Sequence, residues 1–233
     1  MTDGHHFQTS ACRAYGHPEF TIALREPPML PSHERMLLNY FEASVSRGVR
    51  FAPGEKVTFG WAHLRLTQRP DGTIGVQAYD LREEGQWSEW VDAPLRETWL
   101  QQQVLESLGV RDSSRCPRQS QAAIVCRRLG EGLREIQLKR FEPSSGADSG
   151  WFVGCFDADH DHEARENLAP TTLAAIAAHL PVTAQFFALP WDCAVLLDYN
   201  GRSRVRATVL LDDEERVPVP GSYLDRLNSR DGL

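Results

Sequence analysis

Residues 157–163 place six side chains able to hold a metal or move a proton within seven positions: Asp157, Asp159, His160, Asp161, His162 and Glu163. A hydrolytic metal centre is one chemistry such a run could support. The His-x-His-x-Asp-His pattern of metallo-hydrolases is not completed, however, because Glu163, Ala164 and Arg165 follow His162. An EF-hand calcium loop fails too, since it needs alternating oxygen ligands, a glycine at its sixth position and a glutamate at its twelfth. No third ligand cluster stands out elsewhere, so the residues alone predict no resident metal and no cofactor. Two other readings stay open for the loop: a solvated acidic turn braced by Asn167, and a surface that another protein recognises.

Other chemistries find less support. There is no Gly-x-Ser-x-Gly elbow and no phosphate-cradling glycine motif. The five cysteines (Cys12, Cys116, Cys126, Cys155 and Cys193) form no Cys-x-x-Cys pair, and their odd number fits reduced thiols in a cytosol. Cys126, Cys155 and Cys193 sit in apolar runs and read as small core residues, while Cys116 reads as an incidental thiol beside Arg115 and Arg118. The chain is therefore expected not to be an enzyme.

Charge is uneven along the chain. The net charge is −7, yet residues 150–200 carry seven acidic side chains against one basic one. Nucleic acid would repel such a segment, so direct binding to phosphates is not expected unless the stretch from Arg115 to Arg140 forms a basic face. With no apolar run of 18 residues and with His5 and His6 near the start, neither a membrane span nor a signal peptide is expected, and the cytoplasm is the predicted location.

The elements that must position the loop read as α+β, in two small domains, each a mainly antiparallel sheet with packed helices. Residues 1–114 form the first and 115–233 the second, with the polar stretch at 111–121 between them. In the first, the opening dozen residues lack periodicity and are expected to be a loose arm. A strand follows at 19–25, then a helix capped by Ser32 with Met36, Leu37, Tyr40, Phe41 and Val45 on one face. Alternation at 56–68 and 73–81 predicts strands, a third is expected at 87–91, and a helix carries Leu95, Trp99, Val104 and Leu108. Trp87 and Trp90 are expected on opposite faces, leaving one of them open to a partner.

In the second domain, strands are expected at 122–128, 133–141 and 151–156. A short helix capped by Thr171 or Thr172 follows the acidic loop, and a hairpin turns at Asn200-Gly201. The end from Asp212 reads as peripheral.

Across this second domain, Ser149-Gly150-Trp151-Phe152-Val153-Gly154-Cys155-Phe156-Asp157, then Asp159-His160-Asp161-His162, Asn167-Leu168 and Phe187-Ala188-Leu189-Pro190 follow in order. Over roughly residues 118–200 the chain resembles the immunity protein 33-like family of bacterial proteins encoded beside polymorphic toxins. One departure is that Trp191-Asp192 stands where family members commonly place glycine after Leu-Pro. The resemblance implies a protein that binds and occludes a cognate toxin, plausibly one delivered by type VI secretion and encoded by the adjacent gene. The acidic segment would suit a basic, phosphate-binding toxin, a nuclease, with Asp157, Asp159, His160, Asp161, His162 and Glu163 as contacts and Trp151 and Trp191 as aromatic anchors. The alternatives are the metal-dependent hydrolase on residues 157–163 and a scaffold or adaptor unrelated to toxins.

Overall fold

The computed structural model describes residues 4–27, 33–81, 85–111, 115–129, 134–157, 159–199 and 205–229. The chain divides into two compact units, residues 1–99 and 100–233, and both are α+β, as the sequence predicts.

The first unit contains β1 (His5–Gln8), β2 (Phe20–Leu24), α1 (His33–Ser46), β3 (Lys56–Phe59), β4 (Ala62–Gln68), β5 (Ile74–Tyr79), β6 (Trp87–Ser88) and the start of α2 (Asp92–Leu108). Its sheet runs β1-β2-β5-β4-β3, with β6 also paired to β5. In β4, Ala62, Leu64 and Leu66 are buried while His63 and Arg65 are half-buried, the period of two that points alternate side chains to opposite faces. The core joins these to Leu37, Phe41 and Val45 of α1, with the rings of Phe20 and Phe41 stacked at 4.1 Å. Ser32, the expected helix cap, lies outside the described residues.

Two expectations are corrected here. The N-terminal segment is not a loose arm: β1 pairs antiparallel with β2, and Cys12 is fully buried. Buried Glu19 anchors it, accepting hydrogen bonds from the Thr9 hydroxyl (2.5 Å) and the Arg13 amide (3.0 Å). Periodicity could not reveal β1 because its side chains are mostly exposed and its place comes from pairing with β2. The strand expected at 87–91 is only two residues long, and neither tryptophan is an open platform. Trp87 lies beneath the Arg65 guanidinium at 4.9 Å, and Trp90 beneath Arg25 at 5.7 Å.

The second unit takes the C-terminal part of α2, then β7 (Ala122–Cys126), β8 (Glu135–Arg140), β9 (Asp148–Cys155), β10 (Leu168–Thr172), α3 (Leu173–His179), β11 (Cys193–Tyr199), β12 (Val205–Leu211), β13 (Glu214–Glu215) and α4 (Tyr223–Ser229). Its sheet order is β10-β7-β9-β8-β11-β12-β13, antiparallel except for the β7–β9 pair. Thr172 caps α3 by accepting the Ala175 amide, and β11 and β12 pair from Cys193↔Leu211 to Tyr199↔Val205. Their Asn200-Gly201 turn lies outside the described residues. β10 was hidden by Pro170, which an edge strand tolerates because it owes no further ladder bond there.

Leu138, Val153, Val195 and Val209 share one buried face of this sheet, and Leu173, Ile176, Phe186 and Phe187 are buried as well. The C-terminal segment is not peripheral. Leu224 of α4 is buried, Asn228 bonds both backbone groups of Ala207, and Ser107 of α2 accepts the amides of Val219 and Leu224. Charge and proline mask this docking in the sequence, since only one apolar residue of α4 is needed. Among the described residues, no helix is long and apolar enough to cross a membrane.

Candidate functional site: an acidic loop beside an open sheet face

The acidic loop leaves the end of β9 and is held by its own side chains. Asp157 accepts the Asp159 amide at 3.0 Å, Asp161 accepts the Glu163 amide at 2.8 Å, and Asn167 donates to the Asp161 carbonyl at 2.8 Å. Arg128 at the end of β7 pairs with Asp157 at 2.5 Å. The Asp159 amide, with the Arg128 cation, holds the Asp157 carboxyl below its ordinary range. Asp157 is thus largely spent on the loop itself. Asp159, Asp161 and Glu163 are exposed, so three carboxylates remain available to a partner.

Beside the loop lies the outer face of the sheet. The strand registers align Pro170, Ile124, Phe152, Lys139, Ala194 and Leu210 in one row across five strands and the edge. Side chains in one such row share a face. Ile124 is 40% exposed and Phe141, just beyond β8, is 56% exposed. With Phe152, Lys139, His162 and Glu163 they line a concavity of about 530 Å³. An apolar floor with charged residues at its margin is the composition of a protein-contact surface. Ile124 sits in the unbroken apolar run Ala122–Cys126, and such a run alone cannot say which of two faces is covered.

The two aromatic anchors expected from sequence are placed differently. Trp151 is corrected: it is 2% exposed on the inner face, its indole N–H donates to the Phe187 carbonyl at 3.2 Å, and it cannot present its ring to a partner. The Gly-Trp step therefore serves packing, with Trp151 beneath the Arg140 guanidinium at 5.5 Å. Trp191 is 36% exposed, with the Arg115 guanidinium 5.5 Å from its ring. The residue after it, Asp192, adopts φ of 56°, the left-handed conformation a glycine would take most easily and that Asp tolerates. The departure from the Leu-Pro-Gly pattern is absorbed by that one residue.

Three arginines of the basic stretch are engaged within the protein. Arg140 is 3% exposed and donates to the carbonyls of Arg115 (2.6 Å), Phe187 (3.2 Å), Ser149 (3.3 Å) and Leu189. Burial draws its guanidinium down to about 10, still a cation at neutral pH. Arg115 and Arg128 are engaged by Trp191 and Asp157.

A further grouping was not foreseen. His160 and His162 do not stand alone, because the loop folds them onto the buried thiols of Cys126 and Cys155. His160 Nδ1 lies 3.2 Å from Cys126 Sγ and 3.1 Å from Cys155 Sγ, and His162 Nε2 lies 3.4 Å from Cys155 Sγ. Burial pushes the Cys155 thiol up, and burial together with His160 lowers His162. These four residues could hold a metal. The expectation that no third ligand joins the histidines is therefore corrected. The available hint was local: Cys155 precedes His160 by five positions and His162 by seven, at the junction of strand and loop.

The fold and site thus define an α+β unit with one open sheet face and a charged, ligand-rich loop at its edge. Residues 100–208, a little under half of the chain, match the model of the Imm33-like domain, which associates this unit with an immunity-protein family. The match includes every residue of the resemblance noted above and extends it in both directions. No curated protein and no solved structure matches the chain.

Proposed function

We propose that this protein neutralises a cognate antibacterial toxin by covering its active site, and that the toxin is a nuclease delivered by type VI secretion and encoded by the neighbouring gene. The observation that carries this reading is the Imm33-like match over residues 100–208, the segment that builds the open sheet face and the loop. Occlusion needs a preformed surface rather than a reactive centre. The exposed Ile124 and Phe141 supply apolar contact, and Asp159, Asp161 and Glu163 supply charge at its edge.

Charge favours a nuclease as the partner. A nuclease presents basic residues where phosphates bind, and a segment of seven acids against one base is drawn to that surface. Such an inhibitor acts in the cytoplasm of the producing cell, where the chromosome is at risk. The test is to mix the purified protein with the product of the adjacent gene and to follow complex formation and DNA cleavage. A one-to-one complex with cleavage suppressed supports the whole reading. A complex with a toxin that cuts no nucleic acid keeps immunity and removes the nuclease, and absence of any complex removes both.

A further inference from the structure

The geometry points to a structural zinc site of the Cys2His2 type, formed by Cys126, Cys155, His160 and His162, that clips the acidic loop to the ends of two strands. It goes beyond the toxin-binding reading and does not depend on it.

The strand topology brings the thiols together. β7 and β9 are parallel neighbours with Val125 opposite Val153, so both strands end at the same edge of the sheet, β7 at Cys126 and β9 at Cys155. Gly154 keeps this corner clear, since a Cβ there would meet the Phe152 ring at 2.6 Å and lie 3.1 Å from the Cβ of Cys126. The loop then returns, fixed by the Asp157, Asp161 and Asn167 hydrogen bonds, and delivers two imidazoles to the same point.

The spacing of the four ligand atoms comes near that of a tetrahedron around zinc. With Zn–S near 2.3 Å and Zn–N near 2.05 Å, a regular tetrahedron has S···S edges of about 3.8 Å and S···N edges of about 3.6 Å. The two sulfurs stand 3.8 Å apart, the three close S···N distances are 3.2, 3.1 and 3.4 Å, and all four atoms lie within 4.8 Å of one another. Binding would spread the thiols and imidazoles by about 0.2–0.5 Å along these edges. A sulfur separation of 3.8 Å is well beyond a disulfide bond of about 2.05 Å.

The surroundings suit thiolate ligands. The Arg128 amide donates to Cys126 Sγ at 3.4 Å, and the Asp157 amide donates to Cys155. Backbone N–H groups directed at sulfur stabilise its anionic form, the outer support that metal-bound ligands require. Two thiolates also neutralise a divalent cation at this half-buried site. Two thiolates with two imidazoles select zinc over magnesium or calcium, which prefer oxygen. Because four protein ligands fill the tetrahedron, no position is left for an activated water, which separates this site from a hydrolytic centre.

The test reads metal on the full chain alone. Protein purified with zinc in the medium, then passed over a desalting column after incubation with a weak chelator, is expected to retain about one zinc per chain. Cobalt substitution is expected to give the intense visible bands of tetrahedral Co(II) and a near-ultraviolet thiolate band. Cys126→Ser is expected to reduce both, and the loop variant His160→Gln with His162→Gln, which leaves the buried cysteines in place, to reduce zinc below about a tenth of an ion per chain while the circular dichroism of the sheet persists. The inference is overturned if the wild-type chain holds under a tenth of an ion. It also falls if zinc is retained after Cys126→Ser in a folded protein, which would mark adventitious binding by histidines, or if thiol titration finds Cys126 and Cys155 joined as a disulfide. Each outcome is read on metal content, spectra or thiol state with no toxin present, so failure of the zinc site would leave the toxin-binding reading standing.

Discussion

Arg140 is the residue whose replacement tests the architecture most directly. Its guanidinium reaches four carbonyls from three separate stretches of chain, and two of them, those of Arg115 and Leu189, receive its shortest bonds. The Phe187 carbonyl also accepts the Trp151 indole, and the Ser149 contact is the longest at 3.3 Å. Arg140→Met therefore strands one buried acceptor and one part-buried one, at about 1–3 kcal/mol each, while relieving part of the cost of burying a cation. The expected net loss is about 2 kcal/mol. With a urea m-value of about 2 kcal/mol/M, the midpoint for the second unit falls by about 1 M. Arg140→Lys should lose at least as much, since an ammonium keeps the desolvation cost and cannot span carbonyls on opposite sides. Amide exchange at 186–192 should accelerate in both, because Arg140 ties down the segment that carries Trp191. A Met variant whose midpoint stays within about 0.2 M of wild type, or a Lys variant that restores it, would show that the carbonyls find other partners and refute the reasoning.

Four further outcomes are expected. Burial, opposed by Arg96 and by a hydrogen bond from Trp61, raises the Glu97 carboxyl from 4.5 to about 7, so this group costs nothing below its unfolded value and progressively destabilises the fold as pH rises through 7. Glu97→Gln should gain up to about 2 kcal/mol over wild type between pH 4 and 8 in urea titrations, after allowance for solvent screening of a half-buried side chain, and a constant difference would contradict it. Glu19 should show the opposite sign. Burial pushes its carboxyl up, but the Thr9 hydroxyl and the Arg13 and Cys12 amides outweigh this and hold it below the usual range, so its contribution is lost as pH falls, and Glu19→Gln should flatten the acid limb. Gly150 has φ of 75°, and a Cβ there would collide with the Phe141 carbonyl, so Gly150→Ala should cost more than about 2 kcal/mol by calorimetry. Asp159→Lys with Glu163→Lys should slow association with a basic toxin by at least about tenfold at low salt in stopped-flow measurements, and an unchanged rate would remove the loop from the interface.

Much of the fold is legible in the sequence because its patterns are local. The alternation of β4, the one-sided apolar face of α1 and the cap at Thr172 each follow from neighbours within a few positions. The features that escaped are set by partners distant in the chain. β1 exists because β2 is beside it, and Trp151 is inward because the chain from Phe186 onward covers it. The loop's acidic character was readable from its seven residues, whereas its junction with Cys126 required knowing that two strands run parallel. Apolar runs in β7 and β9 concealed that one pair of cysteines is buried against histidines rather than among aliphatic side chains.

The two ends of the second sheet bear on how it resists adding further strands. A broad apolar face left uncovered invites self-association, and the usual next step is a neighbour's strand adding to an edge. β10 at one end contains Pro170, which has no N–H to offer an incoming chain. At the other, β13 is only two residues long, Glu214 and Glu215, both exposed and both negative. Growth by edge pairing is discouraged at either side, so the sticky face can remain open without seeding aggregates. Among the described residues, what stays accessible on this sheet is the flat of its side chains, where shape and charge choose the visitor and bare backbone does not.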